Sequence, residues 1–276
     1  MQRESRRYLG LDLAGAKNQK TALAVLEYYP KEGKTFLLDI HDRIHAEVSE
    51  KKAGTQAAVP SPDETLIQIL HELAADSGRA HVKMGVNVPL ELPPCLNCTR
   101  KSCKPGGKCN TPAVRWMREI TRKAARAHQV KVLDFTPYTQ RPVELWVRYQ
   151  VMPRLLAHER FEIDETLGGN KAPLTARMVF LKRHLKGIDP VEVWPKLSVA
   201  ALAESLSIGK RAITSYRRLE EGVHAREEIL ETLTERQDIF IYERDIRKLA
   251  SNLSSFDAFI CAWTALLSDL DQTASP

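Results

Sequence analysis

Cys95, Cys98, Cys103 and Cys109 follow one another with the spacing C-x2-C-x4-C-x5-C, and Pro105, Gly106 and Gly107 fall between the last two. Thiolates are soft ligands, and a short glycine-containing run lets one chain segment wrap a single ion. Four cysteines packed together, with Cys261 far away, fit a metal loop better than a disulfide scaffold. Tetrahedral zinc is the first expectation, because it would staple a loop that otherwise lacks support. The spacing departs from that of paired zinc knuckles and leaves an iron-sulfur cluster open, as it does unligated thiols with transient disulfide chemistry. Residues 93–111 therefore read as a cysteine-rich metal-binding insertion.

Carboxylates supply a second kind of chemistry. Asp12 sits inside an apolar run, Tyr8-Leu-Gly-Leu-Asp-Leu-Ala-Gly-Ala16, where a charge is costly unless it meets water, a hydrogen-bond donor or a cation. The alternative is a purely local role, accepting hydrogen bonds from the glycine turn that follows. Asp257 stands near the start of an apolar helix, where a carboxylate also gains from free backbone N–H groups, with Ser254 and Ser255 as rival caps. Glu192 lies between Val191 and Val193, so strand alternation sets it on the opposite face from both.

Cations near these segments are Lys17, Lys20, Arg141, Arg177 and Lys196. Arginine's planar fork and lysine's point charge both suit phosphate, although each residue taken alone is as well explained as a solvated surface group, and Glu144 is placed to pair with Arg141. Arg100, Lys101, Lys104 and Lys108 make the cysteine loop basic, and Arg115, Arg118, Arg122, Lys123 and Arg126 extend the charge. Such a surface guides a nucleic-acid backbone or simply offsets a four-thiolate site. Cys261, between Ile260 and Ala262, reads as a buried inert thiol. The eight histidines form no zinc-hydrolase motif.

The elements that must position these groups are legible in outline. Residues 8–16 and 21–28 alternate as two strands of a hairpin, a turn covers 29–34, and a third strand spans 35–46. Ser61-Pro-Asp-Glu64 opens a helix with a capping box, apolar Leu66, Ile67, Leu70 and Leu73 follow at helical spacing, and Gly78 ends it. A strand over 81–88 stops at Pro89. A basic helix runs from Pro112 to about His128, and a short strand follows at 130–134. Residues 141–185 are mainly helical, broken at Gly168-Gly-Asn-Lys171, with one helix over 173–185. Residues 190–194 are the last strand, and everything after Ser198 is helix and turn. A mixed sheet with helices on both faces follows from this order.

Composition bounds the class. In 276 residues, 43% hydrophobic and 28% charged, a single folded domain over 1–276 is the expectation. Lys and Arg number 41 against 35 Asp and Glu, a net charge of +6, which can raise the local concentration of a polyanion without identifying one and is equally compatible with plain solubility. No stretch approaches the roughly 20 apolar residues that cross a bilayer, and the N-terminus leads into a strand instead of a signal peptide, so no membrane association and a cytoplasmic location are expected.

The segments Gly10-Leu-Asp-Leu-Ala-Gly15, Gly85-Val-Asn-Val-Pro-Leu90, Thr136-Pro-Tyr-Thr-Gln-Arg141, Ala172-Pro-Leu-Thr-Ala-Arg-Met178, Val191-Glu-Val-Trp-Pro195 and Asp257-Ala-Phe-Ile-Cys-Ala262 together resemble the bacterial and archaeal family DUF429, which is grouped with predicted nucleases of the ribonuclease H superfamily. The resemblance spans nearly the whole chain and implies an α/β, ribonuclease H-like mixed sheet flanked by helices. It implies Asp12, Glu192 and Asp257 as a catalytic acidic set, with Asp12 and Asp257 holding Mg²⁺ or Mn²⁺. Asn87 stands where the family usually has an aspartate and would join through its amide oxygen, which brings no charge. Among the cations, Arg141 and Arg177 lie in family-like segments. Hydrolysis of DNA or RNA phosphodiesters is the implied reaction, and a catalytically inactive nucleic-acid-binding or assembly module is the alternative. The Gly10-to-Gly15 turn would also suit ATP phosphates, but a second phosphate loop is missing.

Overall fold

A computed structural model describes residues 5–15, 21–42, 44, 61–76, 82–103, 108–127, 129, 134–155 and 162–273. The first three strands, β1 (Arg6–Asp12), β2 (Ala22–Tyr29) and β3 (Lys34–His41), form an antiparallel meander. Helix α1 (Pro62–Asp76) leads to β4 (Val82–Val86), which pairs parallel to β1. Helix α2 (Pro112–Ala127) and the short α3 (Pro142–Trp146) precede α4 (Lys171–Lys182) and β5 (Ile188–Glu192), which adds parallel to β4. Then come α5 (Pro195–Leu206), α6 (Lys210–Ser215), α7 (Glu221–Arg236), β6 (Ile239–Phe240), α8 (Glu243–Ser251) and α9 (Leu253–Asp269). The six-stranded mixed sheet has the order β5-β4-β1-β2-β3-β6.

Period-two alternation divides the core between the two faces. Leu9, Leu11, Leu23, Val25, Val82, Met84 and Val86 pack with Leu66 and Leu70 of α1 and Met178 and Leu181 of α4. Tyr8, Ala22, Ala24 and Leu26 point the other way, onto α5, α7, α8 and α9. Helix α9 is apolar nearly all round, as befits a buried helix, and Phe256, Phe259 and Ile260 have no accessible surface.

Several expectations hold in detail. The Ser61 amide donates to Glu64 (2.7 Å) and the Glu64 amide to the Ser61 hydroxyl (3.3 Å), a complete capping box ahead of Pro62. Cys261 is fully buried. Others need correction. Strand β3 ends at His41, and β5 begins two residues earlier and ends two earlier than its valine pattern suggests. The two-residue strand β6, parallel to β3, went unread because two residues carry no alternation. Gly78, residues 130–133 of the expected 130–134 strand, and Lys17 with Lys20 lie outside the described residues, and Asp134 is irregular.

Helix α9 lies directly on the sheet backbone. A methyl group at Gly10 would overlap the Ala258 carbonyl and the Ala262 amide, and one at Gly85 would overlap the Cys261 carbonyl. Backbone atoms cannot move aside as a flexible side chain does, so both glycines are required for close approach. Gly85→Ala should therefore cost about 3 kcal/mol, the upper range for overpacking, in urea denaturation. Gly209→Ala, where the nearest atom is a Glu228 carboxylate oxygen at 3.8 Å, should cost less than about 1 kcal/mol.

Candidate functional site

Asp12 closes β1, and its neighbour across the parallel ladder is the segment that leaves β4. The Asn87 amide nitrogen continues that ladder by donating to the Leu11 carbonyl (3.2 Å). The Asn87 side chain is spoken for at both ends: its oxygen accepts from the Leu13 N–H (2.9 Å) and its nitrogen donates to an Asp12 carboxylate oxygen. Asn87 thus orients Asp12, and its oxygen is turned to the backbone.

On the facing helix, Asp257 is 3% exposed. It is not the helix cap: α9 begins at Leu253, and the Asn252 side chain accepts from the amides of Ser254 (3.0 Å) and Ser255 (3.2 Å). One turn further in, Asp257 meets Arg217 with Oδ2 at 2.5 Å, while its Oδ1 is buried and has no hydrogen-bond partner among the described residues. Burial, then the Asp257 charge, pushes the Asp12 carboxyl up to about 7, opposed by the Ser254 hydroxyl, Arg217 and Lys171. Burial also raises Asp257, against the charge and hydrogen bond of Arg217. Two carboxylates close enough to repel, in a site of fixed cations, are the core of the arrangement.

Asn87 and Asp257 line a cleft of about 70 Å³, together with Lys171, Lys196, Arg217, Trp194, Glu162 and Asp164. Lys171, at the start of α4, reaches over the sheet edge to the Asn87 carbonyl (3.3 Å) and lies 3.9 Å from Asp164. Arg217 occupies the turn between α6 and α7. That turn is pinned by Arg226, only 2% exposed, which donates to the carbonyls of Ala250 (2.6 Å) and Tyr216.

Glu192 is not brought to this pair. It is in register with Val86, and Val86 with Leu11. Side chains paired across a sheet share a face, so Glu192 projects with the α1 and α4 core while Asp12 and Asn87 face α9. Its carboxylate is occupied by Arg141 (2.6 and 2.7 Å), the Trp194 indole N–H (3.0 Å) and the Leu90 amide (3.1 Å). Arg141 also donates to buried Glu144 (3.0 Å). Arg141 is therefore a structural tie between two carboxylates, and its removal would leave both without their cation at a cost of about 3–5 kcal/mol. Arg177 is similarly engaged, by Asp63 (2.7 and 2.8 Å) and by the Ala14 carbonyl. Of the anticipated phosphate ligands within the described residues, Lys196 alone lines the cleft.

Neither a family model, nor a curated protein, nor a solved structure matches this chain.

The sequence reading missed Lys171, Arg217 and Ser254. Lys171 stands at a Gly-Gly-Asn break visible in the chain, and Ser254 was weighed only as a cap. Nothing local marks Arg217.

The cysteine loop is anchored at both ends, by the Cys95 amide on the Pro137 carbonyl (3.1 Å) and by Arg118 on the Cys109 carbonyl. Cys98 and Cys103 are exposed, and Cys95 and Cys109 half-buried. Burial raises the Cys95 thiol, and Cys103, Cys109 and Cys98 add to that in turn, so these three lie within electrostatic reach of Cys95. Among the described residues, no three His, Cys, Asp or Glu side chains are gathered so as to hold a metal ion.

The raised Asp12 carboxyl has a definite pH signature. Its folded value lies above the ordinary 3.8, so the protonated form is favoured by folding. The stability it contributes is fully present below about pH 4 and is lost as pH rises through about 7. In EDTA, wild-type protein should lose stability across that window, and Asp12→Asn should flatten the loss and be the more stable protein above it. Urea midpoints measured across the pH range check this, and parallel profiles would count against a buried, proton-binding Asp12.

Proposed function

We propose that this chain is a divalent-cation-dependent hydrolase of nucleic-acid phosphodiesters. The observation that carries the reading is the unpartnered, buried Oδ1 of Asp257 beside Asp12, whose carboxyl feels the Asp257 charge. A buried carboxylate oxygen without a donor costs free energy, and a hard cation shared with a second carboxylate relieves both that cost and the repulsion. Asp12 and Asp257 would hold Mg²⁺ or Mn²⁺ through their carboxylate oxygens, the hard donors such ions take.

When bound, such a cation supplies a polarised phosphate and an activated water. The chain's own residues do the rest. Asn87 holds Asp12 in place through its side-chain amide. Lys171, Lys196 and Arg217 line the cleft with positive charge for a phosphate. Outside it, α2 buries Val114, Met117, Ile120 and Ala124 and leaves Arg115, Arg122, Lys123 and Arg126 exposed, a surface suited to a polyanion.

The order β3-β2-β1-β4-β5, with two parallel strands added beyond an antiparallel meander, is consistent with a ribonuclease H-like sheet and with the resemblance to DUF429. For the cysteine loop we hold to zinc as a structural ion, on the spacing of its four thiols and the electrostatic reach of Cys98, Cys103 and Cys109 to Cys95. A binding or assembly module without catalysis is the second reading, favoured by Asn87 in place of a carboxylate and by the engagement of Glu192 with Arg141.

Wild-type protein should cleave single- or double-stranded DNA or RNA with Mg²⁺ or Mn²⁺, and Asp12→Asn and Asp257→Asn should each lower the rate by about 10²- to 10⁴-fold. Elemental analysis of the same preparation should find about one zinc per chain, reduced in Cys98→Ser. Equal background in all three proteins with nucleic-acid binding intact would favour the module, and a zinc-free wild type would remove the structural ion.

A further inference from the structure

Arg217 is held differently from the other cations of the cleft. Its guanidinium sits on Oδ2 of Asp257 at 2.5 Å, yet its side chain remains 39% exposed. Its aliphatic stem leaves a short turn, and the guanidinium lies 5.7 Å from the centre of the Tyr216 ring. By contrast, Arg226 is enclosed and tied to two carbonyls, and Arg141 is clamped between two carboxylates. Arg217 can therefore swing on its own side chain while Arg226 keeps the turn in place.

Asp257 has two oxygens and two claims on them. Oδ2 is taken by Arg217 and Oδ1 is open. A divalent cation on this carboxylate and an arginine on the same carboxylate repel, so each weakens the other. The cleft can receive an alternative anion for Arg217, since Lys171 and Lys196 line the same space of about 70 Å³, enough for a single phosphate group. We propose that Arg217 is an exchangeable counter-cation, resting on Asp257 in the empty protein and moving to a phosphate of the nucleic acid when a divalent cation takes its place. The inference rests on the cation site proposed above and assigns Arg217 as a positioning residue for the phosphate.

The two halves of the exchange predict effects of opposite sign, which a merely structural role does not produce. Mn²⁺ titrated into the full chain and followed by electron paramagnetic resonance should bind about tenfold more tightly to Arg217→Met than to wild type, with binding lost in Asp257→Asn. A short single-stranded oligonucleotide in saturating Ca²⁺, which fills the cation site, followed by fluorescence anisotropy, should bind Arg217→Met more weakly than wild type, with a salt slope lower by about one. Arg217→Lys, which keeps the charge and guards against a folding defect, should stay near wild type in both. Weaker or unchanged Mn²⁺ binding in an Arg217→Met protein with native circular dichroism would overturn the exchange, as would unchanged oligonucleotide binding. Asp257-dependent Mn²⁺ binding by a protein that cleaves nothing would sink the hydrolase reading and leave the exchange standing. No Mn²⁺ binding to any variant would sink both.

Discussion

The contact between helix α9 and the bare backbone of β1 and β4 is the constraint on which the rest depends. Gly10 and Gly85 remove the side chains that would hold the helix off, and Ala258, Cys261 and Ala262 are the residues that come down on them. Close approach brings Asp257 over the end of β1, where Asp12 sits. It also seals this region from water, and burial is the first cause of the raised carboxyls at both residues. Packing and electrostatics are thus one feature: the glycines that permit tight burial also create the charge problem at the end of β1.

The surroundings answer that problem in part. Asn87 and Ser254 donate to Asp12, Arg217 neutralises half of Asp257, and Lys171 and Arg226 contribute at longer range. What stays unanswered is one carboxylate oxygen, and a site that leaves a buried acceptor bare is one that functional demands commonly explain. Across the sheet, the Arg141, Glu144 and Glu192 cluster shows the opposite outcome, with donors and acceptors matched. The contrast separates a site built to receive something from a tie that is already complete.

Much was legible before any coordinates because it rests on local physics. The capping box at Ser61 and Glu64 and the proline that opens α1 depend on residues within a few positions of one another, the meander of β1 to β3 joins strands consecutive in the chain, and the burial of Cys261 follows from the apolar run around it. Asp12 was also legible, since a carboxylate inside an apolar strand demands a partner wherever the strand ends up. The short strand β6 and the pinning of the turn at Tyr216 by Arg226 were not, because each depends on a partner far along the chain.

Sequence by itself determined most of the longer elements, the α/β class, and the presence of a carboxylate that needed a partner; hydrophobic period and capping chemistry suffice for those. Only tertiary structure decided which acids meet. Glu192 carries the same charge as Asp257 and ends a neighbouring strand, yet register sets it on the opposite face from Asp12 and gives it to Arg141. Arg217 arrives from a turn that no local pattern marks and claims Asp257 instead. The physical reason is that side-chain direction alternates with every residue of a strand, so strand pairing register and helix docking choose a carboxylate's company, and neither is written in any single segment.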